Sequence, residues 1–116
     1  ELTDLEICKR IAEIEGVTDT VNVAIKAISN QKYHSIFNPS NVTSPPTFDD
    51  VYNPLTDDAL CFKLMVKYGI ILMTSRPEKG KVVGYNAWYY ELIDKVFVAG
   101  LNPNRAICLA IIKSKE

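Results

Sequence analysis

Three asparagine–proline pairs divide this chain of 116 residues, because proline fixes φ and cannot donate a backbone hydrogen bond. Each pair follows an aromatic or aliphatic residue, in Phe37-Asn38-Pro39, Tyr52-Asn53-Pro54 and Leu101-Asn102-Pro103. With Pro45-Pro46 between the first two pairs, they predict an irregular, proline-rich loop at about residues 37–54. The third pair predicts the start of a helix, with Asn102 as its cap and Pro103 in its first turn.

A helix is also predicted near the N-terminus, with signals at both of its ends. Thr3 and Glu6 are spaced as a capping box, in which each side chain accepts a hydrogen bond from the other residue's backbone N–H. An apolar stripe at helical spacing follows, and Gly16 is placed as a left-handed cap. These signals predict a helix over about residues 4–15.

The next two elements are predicted from the spacing of their apolar residues. Apolar side chains alternate with other residues from Val21 to Ile25, which predicts a strand over about residues 20–28. A second helix is predicted to begin near Pro54 or Thr56. Its residues are so apolar that we expect the rest of the fold to enclose it.

The C-terminal half predicts a hairpin, with strands over residues 70–74 and 82–90 and a turn at residues 76–80. Residues 91–98 fit either a helix or a strand, because a short apolar run has no distinctive period. Together with the final helix, the pattern predicts an α+β fold, with three helices packed on a small antiparallel sheet. The length predicts a single domain over residues 1–116.

Charge is unevenly distributed along the chain. Residues 1–62 carry 4 basic and 10 acidic side chains, a net charge of −6, whereas residues 63–116 carry 9 and 4, a net charge of +5. The total of −1 disfavours a protein that coats DNA or RNA, so no nucleic-acid partner is expected. The positive half favours a small anionic ligand or an acidic partner. Alternatively, the two halves interleave in space and the asymmetry disappears.

The cysteines and the apolar segments indicate the compartment. Cys8, Cys61 and Cys108 are odd in number, widely spaced and set in apolar helical patterns. We therefore expect buried free thiols in a reducing, cytoplasmic setting. No apolar stretch approaches the ~20 residues that a membrane span needs, so no membrane association is expected.

Patterns for catalysis and metal binding are weak. His34 is the only histidine, and neither a P-loop nor a Gly-x-Gly-x-x-Gly motif is present. The acidic pairs Asp49-Asp50 and Asp57-Asp58 suit loop solvation and a helix start better than acid–base chemistry. Three scattered cysteines and one histidine make a poor zinc site. The sequence therefore predicts no enzyme activity, no metal and no cofactor.

A binding site is predicted at residues that suit an anionic, nucleotide-type ligand. Arg105 lies in the first turn of the last predicted helix, where backbone N–H groups and a guanidinium both attract phosphate. Aromatic side chains stack on bases, and asparagine side chains read polar edges. The predicted ligand-binding residues are Tyr85, Asn86, Trp88, Asn102, Asn104 and Arg105. The alternative is structural, with the tryptophan in the core, the arginine paired with an acid and the asparagines as caps.

The loop predicted at residues 37–54 is a second candidate surface, because long loops in compact proteins are often functional. Its aromatic residues Phe37, Phe48 and Tyr52 would serve as anchors in an interface with another protein. The alternative is that the loop only crosses the surface, where the same three side chains pin it.

Three short segments together resemble one known family. They are residues 2–13, the Asn-Pro triplets at 37–39 and 52–54 that lead into Thr56-Asp57-Asp58-Ala59, and Asn102-Pro103-Asn104-Arg105-Ala106 after Trp88. They are similar to the start, the central Asn-Pro segment and the terminal Asn-Pro-x-Arg-Ala helix of the phage NinX-like proteins. The chain departs from that family at Cys61-Phe62-Lys63, where the family has a tryptophan–proline pair.

The resemblance implies a phage or prophage accessory protein in the cytoplasm of the bacterial host, from a family with no assigned activity. Small accessory phage proteins often act on host systems by binding. We therefore predict a non-catalytic protein that sequesters a small anionic, nucleotide-type host molecule. The alternative is an inhibitor that binds a host protein, such as a defence enzyme, through the 37–54 loop. A homodimer also fits, because symmetric dimers are the commonest oligomers.

Overall fold

The computed structural model describes residues 2–34, 46–76, 80–89 and 95–116. The chain groups into two compact units, Glu1–Asn53 and Pro54–Glu116. Helices make up the described part of the first unit, and helices with a three-stranded antiparallel sheet make up that of the second. These elements confirm the predicted α+β class. The single domain predicted from the sequence stays a prediction.

The N-terminal unit begins with helix α1, Asp4–Glu15, which confirms the predicted element. The capping box is complete, because the Glu6 N–H donates to the Thr3 hydroxyl oxygen and the Thr3 N–H donates to the Glu6 carboxylate, both at 3.2 Å. Gly16 ends the helix with φ at 72°, a conformation that costs little only for glycine. The buried stripe of the helix consists of Ile7, Cys8, Ile11 and Ala12.

The strand predicted at residues 20–28 is wrong, because these residues belong to helix α2, Thr18–His34. A strand would place Val21 and Val23 on the same face, yet Val21 is 5% exposed and Val23 is 67% exposed. Val21 and Ile25 are four residues apart, which is also the spacing along one face of a helix. A helix satisfies its hydrogen bonds locally, whereas a strand needs a neighbour, and all strands in the described residues lie in the second unit.

The loop predicted at residues 37–54 is partly helical. Its residues 37–45 lie outside the described part of the chain, and Phe48–Val51 forms the short helix α3. The Thr47 N–H donates to the Asp50 carboxylate at 2.9 Å, so one member of the first acidic pair caps a helix. α1 packs against α2 and α3 within this unit.

The C-terminal unit begins with helix α4, Asp58–Tyr68, close to the predicted start. Its cap is Asp57 rather than Thr56, because the Asp57 carboxylate accepts a hydrogen bond from the Leu60 N–H at 3.1 Å. The second acidic pair therefore serves the start of a helix, as the sequence indicated.

Three strands follow α4 and form an antiparallel sheet in the order of the chain: β1, Ile70–Ser75; β2, Gly84–Tyr89; and β3, Val96–Ala99. β1 and β2 confirm the predicted hairpin. The ambiguous segment 91–98 ends in a strand, and its residues 91–94 lie outside the described part of the chain. A strand was hard to recognise there because β3 has only four residues.

Helix α5, Pro103–Ser114, confirms the predicted helix start at Asn102 and packs across all three strands. Ala106 and Ala110 of this helix and Ala87 at the centre of β2 are each at most 2% exposed. Small side chains at the contact let the helix and the sheet approach closely. The side of the sheet that carries Ala87, called the inner face below, is therefore core.

α4 and α5 are held together at their N-terminal ends. The Asn104 side-chain amide donates to the Asp58 carboxylate at 2.8 Å and to the Leu55 carbonyl at 3.1 Å. Only one side of α4 is buried, so the enclosure predicted for this helix is wrong. Phe62 is 61% exposed and Val66 is 64% exposed, whereas Cys61 is fully buried.

All three cysteines are free, as predicted, and the structure buries each of them. The Cys8 thiol donates to the side-chain oxygen of Asn53 at 3.5 Å, and burial raises the pKa of Cys8 to about 11. Cys61 and Cys108 are hydrogen-bonded to each other, which lowers the pKa of Cys61. The described residues contain five helices instead of the predicted three, since α2 and α3 were not recognised in the sequence.

Candidate functional site

The side of the sheet that faces away from α5, called the outer face below, carries large apolar side chains in contact with solvent. Side chains alternate along a strand, so the neighbours of buried Ala87 point to this other side. Trp88 lies opposite Ile71, and Asn86 lies between Met73 on β1 and Phe97 on β3. Ile71 is 42% exposed, Met73 47% and Phe97 53%, although β-sheets usually cover such residues.

The Phe97 ring lies against the backbone of Gly84. A Cβ atom added at Gly84 would meet two carbon atoms of this ring at 2.8 and 2.9 Å, so the ring occupies the space that a side chain would fill. The ring thus packs on the strand while about half of the Phe97 side chain stays exposed. An aromatic ring placed in this way offers a platform on which a planar group can stack.

A cation lies over the second aromatic residue of the outer face. The Lys95 ammonium nitrogen is 4.5 Å from the centre of the Trp88 ring, within the range of a cation–π interaction. The strand register explains the contact, because Ala87 pairs with Val96 and the next residues in each direction are Trp88 and Lys95. The outer face therefore combines an indole ring with a positive charge.

Asn86 places a polar group in the middle of this face. Its side chain is half-buried, between Met73 and Phe97 in the register and two residues before Trp88. An asparagine amide presents both hydrogen-bond donors and an acceptor, which an apolar surface alone lacks. Stacking groups, a cation and an amide on one face together suit a flat, polar-edged, negatively charged ligand.

The predicted site residues are divided between the two faces of the sheet. Asn86 and Trp88 lie on the outer face, whereas Tyr85 lies on the inner face with Ala87. Asn102, Asn104 and Arg105 belong to the start of α5, which packs on the inner face. The structure thus places Trp88 and Arg105 on opposite sides of the sheet and does not join them in one pocket.

Asn102 and Asn104, at the start of α5, make hydrogen bonds that stabilise the fold. The side-chain oxygen of Asn102 accepts a hydrogen bond from the Arg105 N–H at 3.1 Å and caps the helix. The Asn104 amide holds the start of α4, as described above. The contacts of both asparagines therefore support a structural role for them, which was the alternative to ligand binding.

Sequence reasoning missed Phe97 and Lys95, which complete the outer face. Both lie in or beside the segment 91–98, whose element type the apolar pattern did not decide. The alternation of Val96 and Val98 with Phe97 was the available signal, because β-branched residues favour strands. Their place beside Trp88 and Asn86 depends on the pairing of β2 with β3.

A cavity of about 210 Å³ lies at the C-terminal ends of α4 and α5, lined by Lys67, Tyr68, Tyr89, Ser114 and Lys115. The ammonium groups of Lys67 and Lys115 lie 5.5 and 5.2 Å from the centre of the Tyr68 ring. Helix C-termini carry partial negative charge, so lysines there stabilise the helices and the helix ends repel an anion. The cavity is also smaller than the roughly 300 Å³ of common ligand pockets. We therefore favour the outer face.

Phe37, Phe48 and Tyr52 were predicted as exposed anchors for another protein, and the two that the structure describes are not exposed. Phe48 is only 6% exposed, and its ring makes an edge contact with the Tyr52 ring at 6.4 Å. A buried ring serves the core of its own unit, so the prediction of Phe48 as an exposed anchor is wrong. Tyr52 is half-buried, and Phe37 lies outside the described residues.

His34 ends α2, and its side chain lies outside the described part. Among the described residues, no group of three or more histidine, cysteine, aspartate or glutamate side chains is placed to hold a metal ion. In the same residues no helix has the length and apolar character needed to cross a membrane.

No protein-family model, curated protein or solved structure matches this chain. The resemblance to the phage NinX-like proteins therefore stays a prediction.

Proposed function

We propose that this protein is a non-catalytic binding protein that sequesters a small anionic molecule of the nucleotide type on the outer face of its sheet. One observation carries the proposal: the Lys95 ammonium lies 4.5 Å from the centre of the half-buried Trp88 ring, two residues along β2 from Asn86. Trp88 would stack on the base, Asn86 would bond to its polar edge, and Lys95 would bind the phosphate.

The three contacts differ in their physical basis. Stacking of a base on an aromatic side chain contributes about 1–3 kcal/mol. The Asn86 amide adds hydrogen bonds to the base edge, which select among bases. The Lys95 side chain is flexible, so its ammonium can leave the ring for a phosphate oxygen, and such charge-assisted hydrogen bonds are about twice as strong as neutral ones.

The family resemblance supplies the setting for this proposal. In a phage or prophage accessory protein in the bacterial cytoplasm, binding without turnover would remove a host nucleotide signal from its target. Mass spectrometry of a nucleotide incubated with the protein is expected to return the ligand intact. Release of a cleaved or modified nucleotide would make the protein an enzyme and contradict sequestration.

Isothermal titration of the four common nucleoside monophosphates against the purified protein tests the site. Trp88→Leu keeps an apolar side chain but removes the ring, so we expect the affinity to fall about 5- to 150-fold, the equivalent of the stacking energy. Phe62→Leu makes the same kind of change at an exposed ring of α4 outside the outer face, so it is the matched control and should bind like the wild type. Unchanged affinity in Trp88→Leu, or no binding by the wild type, contradicts the proposal.

A second candidate function is binding of a host protein, and the exposed side of α4 favours it. Phe62 and Val66 are more than 60% exposed and four residues apart, so they form one apolar ridge on the helix. Such ridges dock into grooves of partner proteins. This candidate moves the interface from the 37–54 loop to α4. A host protein captured by the wild type and lost in Phe62→Asp, with nucleotide affinity unchanged, would support it.

A further inference from the structure

The outer face holds two aromatic platforms that lie apart from each other. The Phe97 ring lies against Gly84, and Gly84 precedes Trp88 by four residues on β2. At about 3.3 Å per residue, these two positions are roughly 13 Å apart along the strand. Asn86 lies midway between them. The Phe97 ring extends toward Gly84 and away from Trp88, so each ring offers its own stacking position for a base.

Resting on the function proposed above, we propose that the ligand carries two nucleobases joined through a phosphate linkage. One base stacks on Trp88 and the other on Phe97, while Asn86 contacts the part of the ligand between them. Successive bases stacked in a duplex strand are about 3.4 Å apart, so the two bases must separate from each other to reach both rings. A flexible dinucleotide allows this, and splayed bases are the usual targets of aromatic side chains.

The apolar surface agrees with a ligand of this size. A mononucleotide stacked on Trp88 would leave Phe97, which is 53% exposed, and Met73, which is 47% exposed, in contact with water. A second base covers the Phe97 platform. Exposed apolar surface of this extent on one sheet face marks a surface that binds something.

Basic side chains lie at both ends of the outer face, where they could bind phosphate groups of the ligand. Lys95 lies at the Trp88 end. At the other end, Ser75 pairs with Gly84, and the exposed residues Arg76 and Lys81 lie in the connection between β1 and β2. Residues 54–116 carry 9 basic and 6 acidic side chains, a net charge of +3. Cations at both ends attract a ligand with more than one phosphate.

Two sources share this chemistry, a free dinucleotide and the end of a single-stranded nucleic acid. The test uses the four nucleoside monophosphates, the four matching 5′-phosphorylated homodinucleotides and homopolymer strands of eight nucleotides. Isothermal titration is expected to show the best dinucleotide binding at least about 10-fold more tightly than its mononucleotide, because a second base stacks. Equal or weaker binding of the eight-nucleotide strand assigns the site to a free dinucleotide, whereas much tighter binding assigns it to single-stranded nucleic acid and contradicts sequestration of a small molecule.

The variants separate the two platforms. Phe97→Leu keeps the apolar packing on Gly84 but removes the ring, so dinucleotide affinity should fall about 10-fold while mononucleotide affinity stays within about twofold. Phe62→Leu, at an exposed aromatic residue of α4 outside the outer face, is the matched control. If wild-type protein binds mono- and dinucleotides equally, the two-base proposal is overturned and the proposed function stands. If it binds neither, both are overturned.

Discussion

The ammonium group of Lys95 lies 4.5 Å from the centre of the Trp88 ring, and the pairing of Ala87 with Val96 places it there. The contact joins β2 to the residue just before β3 on the solvent side of the sheet. It places a cation beside an aromatic ring, and in the proposed function this cation leaves the ring to bind a phosphate.

Lys95→Met keeps most of the aliphatic chain and removes the ammonium group. We expect nucleotide affinity to fall about 10- to 150-fold, because hydrogen bonds to charged groups contribute about 1.5–3 kcal/mol. Trp88 is the only tryptophan, so its fluorescence reports binding at this face directly. Lys63→Met, on the exposed side of α4, is the control. An affinity in Lys95→Met equal to that of the control would show that no phosphate contacts this side chain.

Gly84→Ala tests whether the Phe97 ring occupies the space above the glycine. The added Cβ would lie 2.8 Å from the ring and would also contact the Val98 carbonyl oxygen, so the strands must move apart. We expect a loss of about 1–3 kcal/mol in the free energy of unfolding, measured by urea denaturation. The double variant with Phe97→Leu should lose less than the sum of the two single variants. Strict additivity would mean that the ring and the glycine do not touch.

Asn104→Ala and Asn102→Ala test whether these residues are structural. Asn104 donates two hydrogen bonds, one of them to the Asp58 carboxylate, so its loss should lower the free energy of unfolding by about 2 kcal/mol. Loss of the Asn102 cap should lower it by about 1 kcal/mol. Thermal unfolding checks both values. Both variants should keep wild-type nucleotide affinity, and a weakened affinity in either would return the start of α5 to the binding site.

The capping box of α1 predicts a pH dependence. Hydrogen bonds from the Thr3 N–H and then the Thr3 hydroxyl hold the pKa of Glu6 below its usual value of 4.5. A lowered pKa in the folded state means that the stabilisation is complete above pH 4.5 and is lost as the pH falls below it. Glu6→Gln keeps a capping amide without the charge. Urea unfolding from pH 7 to pH 3 should show the gap between wild type and Glu6→Gln closing, whereas a constant gap contradicts this role.

Helix ends were predictable because their signals are local. Thr3 with Glu6, Gly16 and Asn102 act on backbone groups within four residues in the sequence, so the pattern alone located the ends of α1 and the start of α5. The strand predicted at residues 20–28 was wrong because a local pattern does not show whether a strand has a partner. Its alternation fitted a strand, but a strand requires a partner that no local pattern specifies.

The candidate site depended on contacts between distant residues. The sequence indicated Trp88 and Asn86 as ligand-binding residues, and both lie on the outer face. It grouped them with Arg105 because nothing in the sequence shows that α5 packs on the opposite side of β2. Phe97 and Lys95 were missed, because only the pairing of β2 with β3 brings them beside those two residues.

By itself, the sequence determined the α+β class, the capped ends of α1 and the cap of α5, since each depends on residue types within a few positions of one another. Tertiary structure decided which side chains share a face of the sheet. Neighbouring residues in a strand point to opposite sides, so the register between strands and the side on which α5 packs set the composition of each face. Both depend on contacts between residues far apart in the sequence, and these contacts bring Trp88, Asn86, Phe97 and Lys95 together on the outer face.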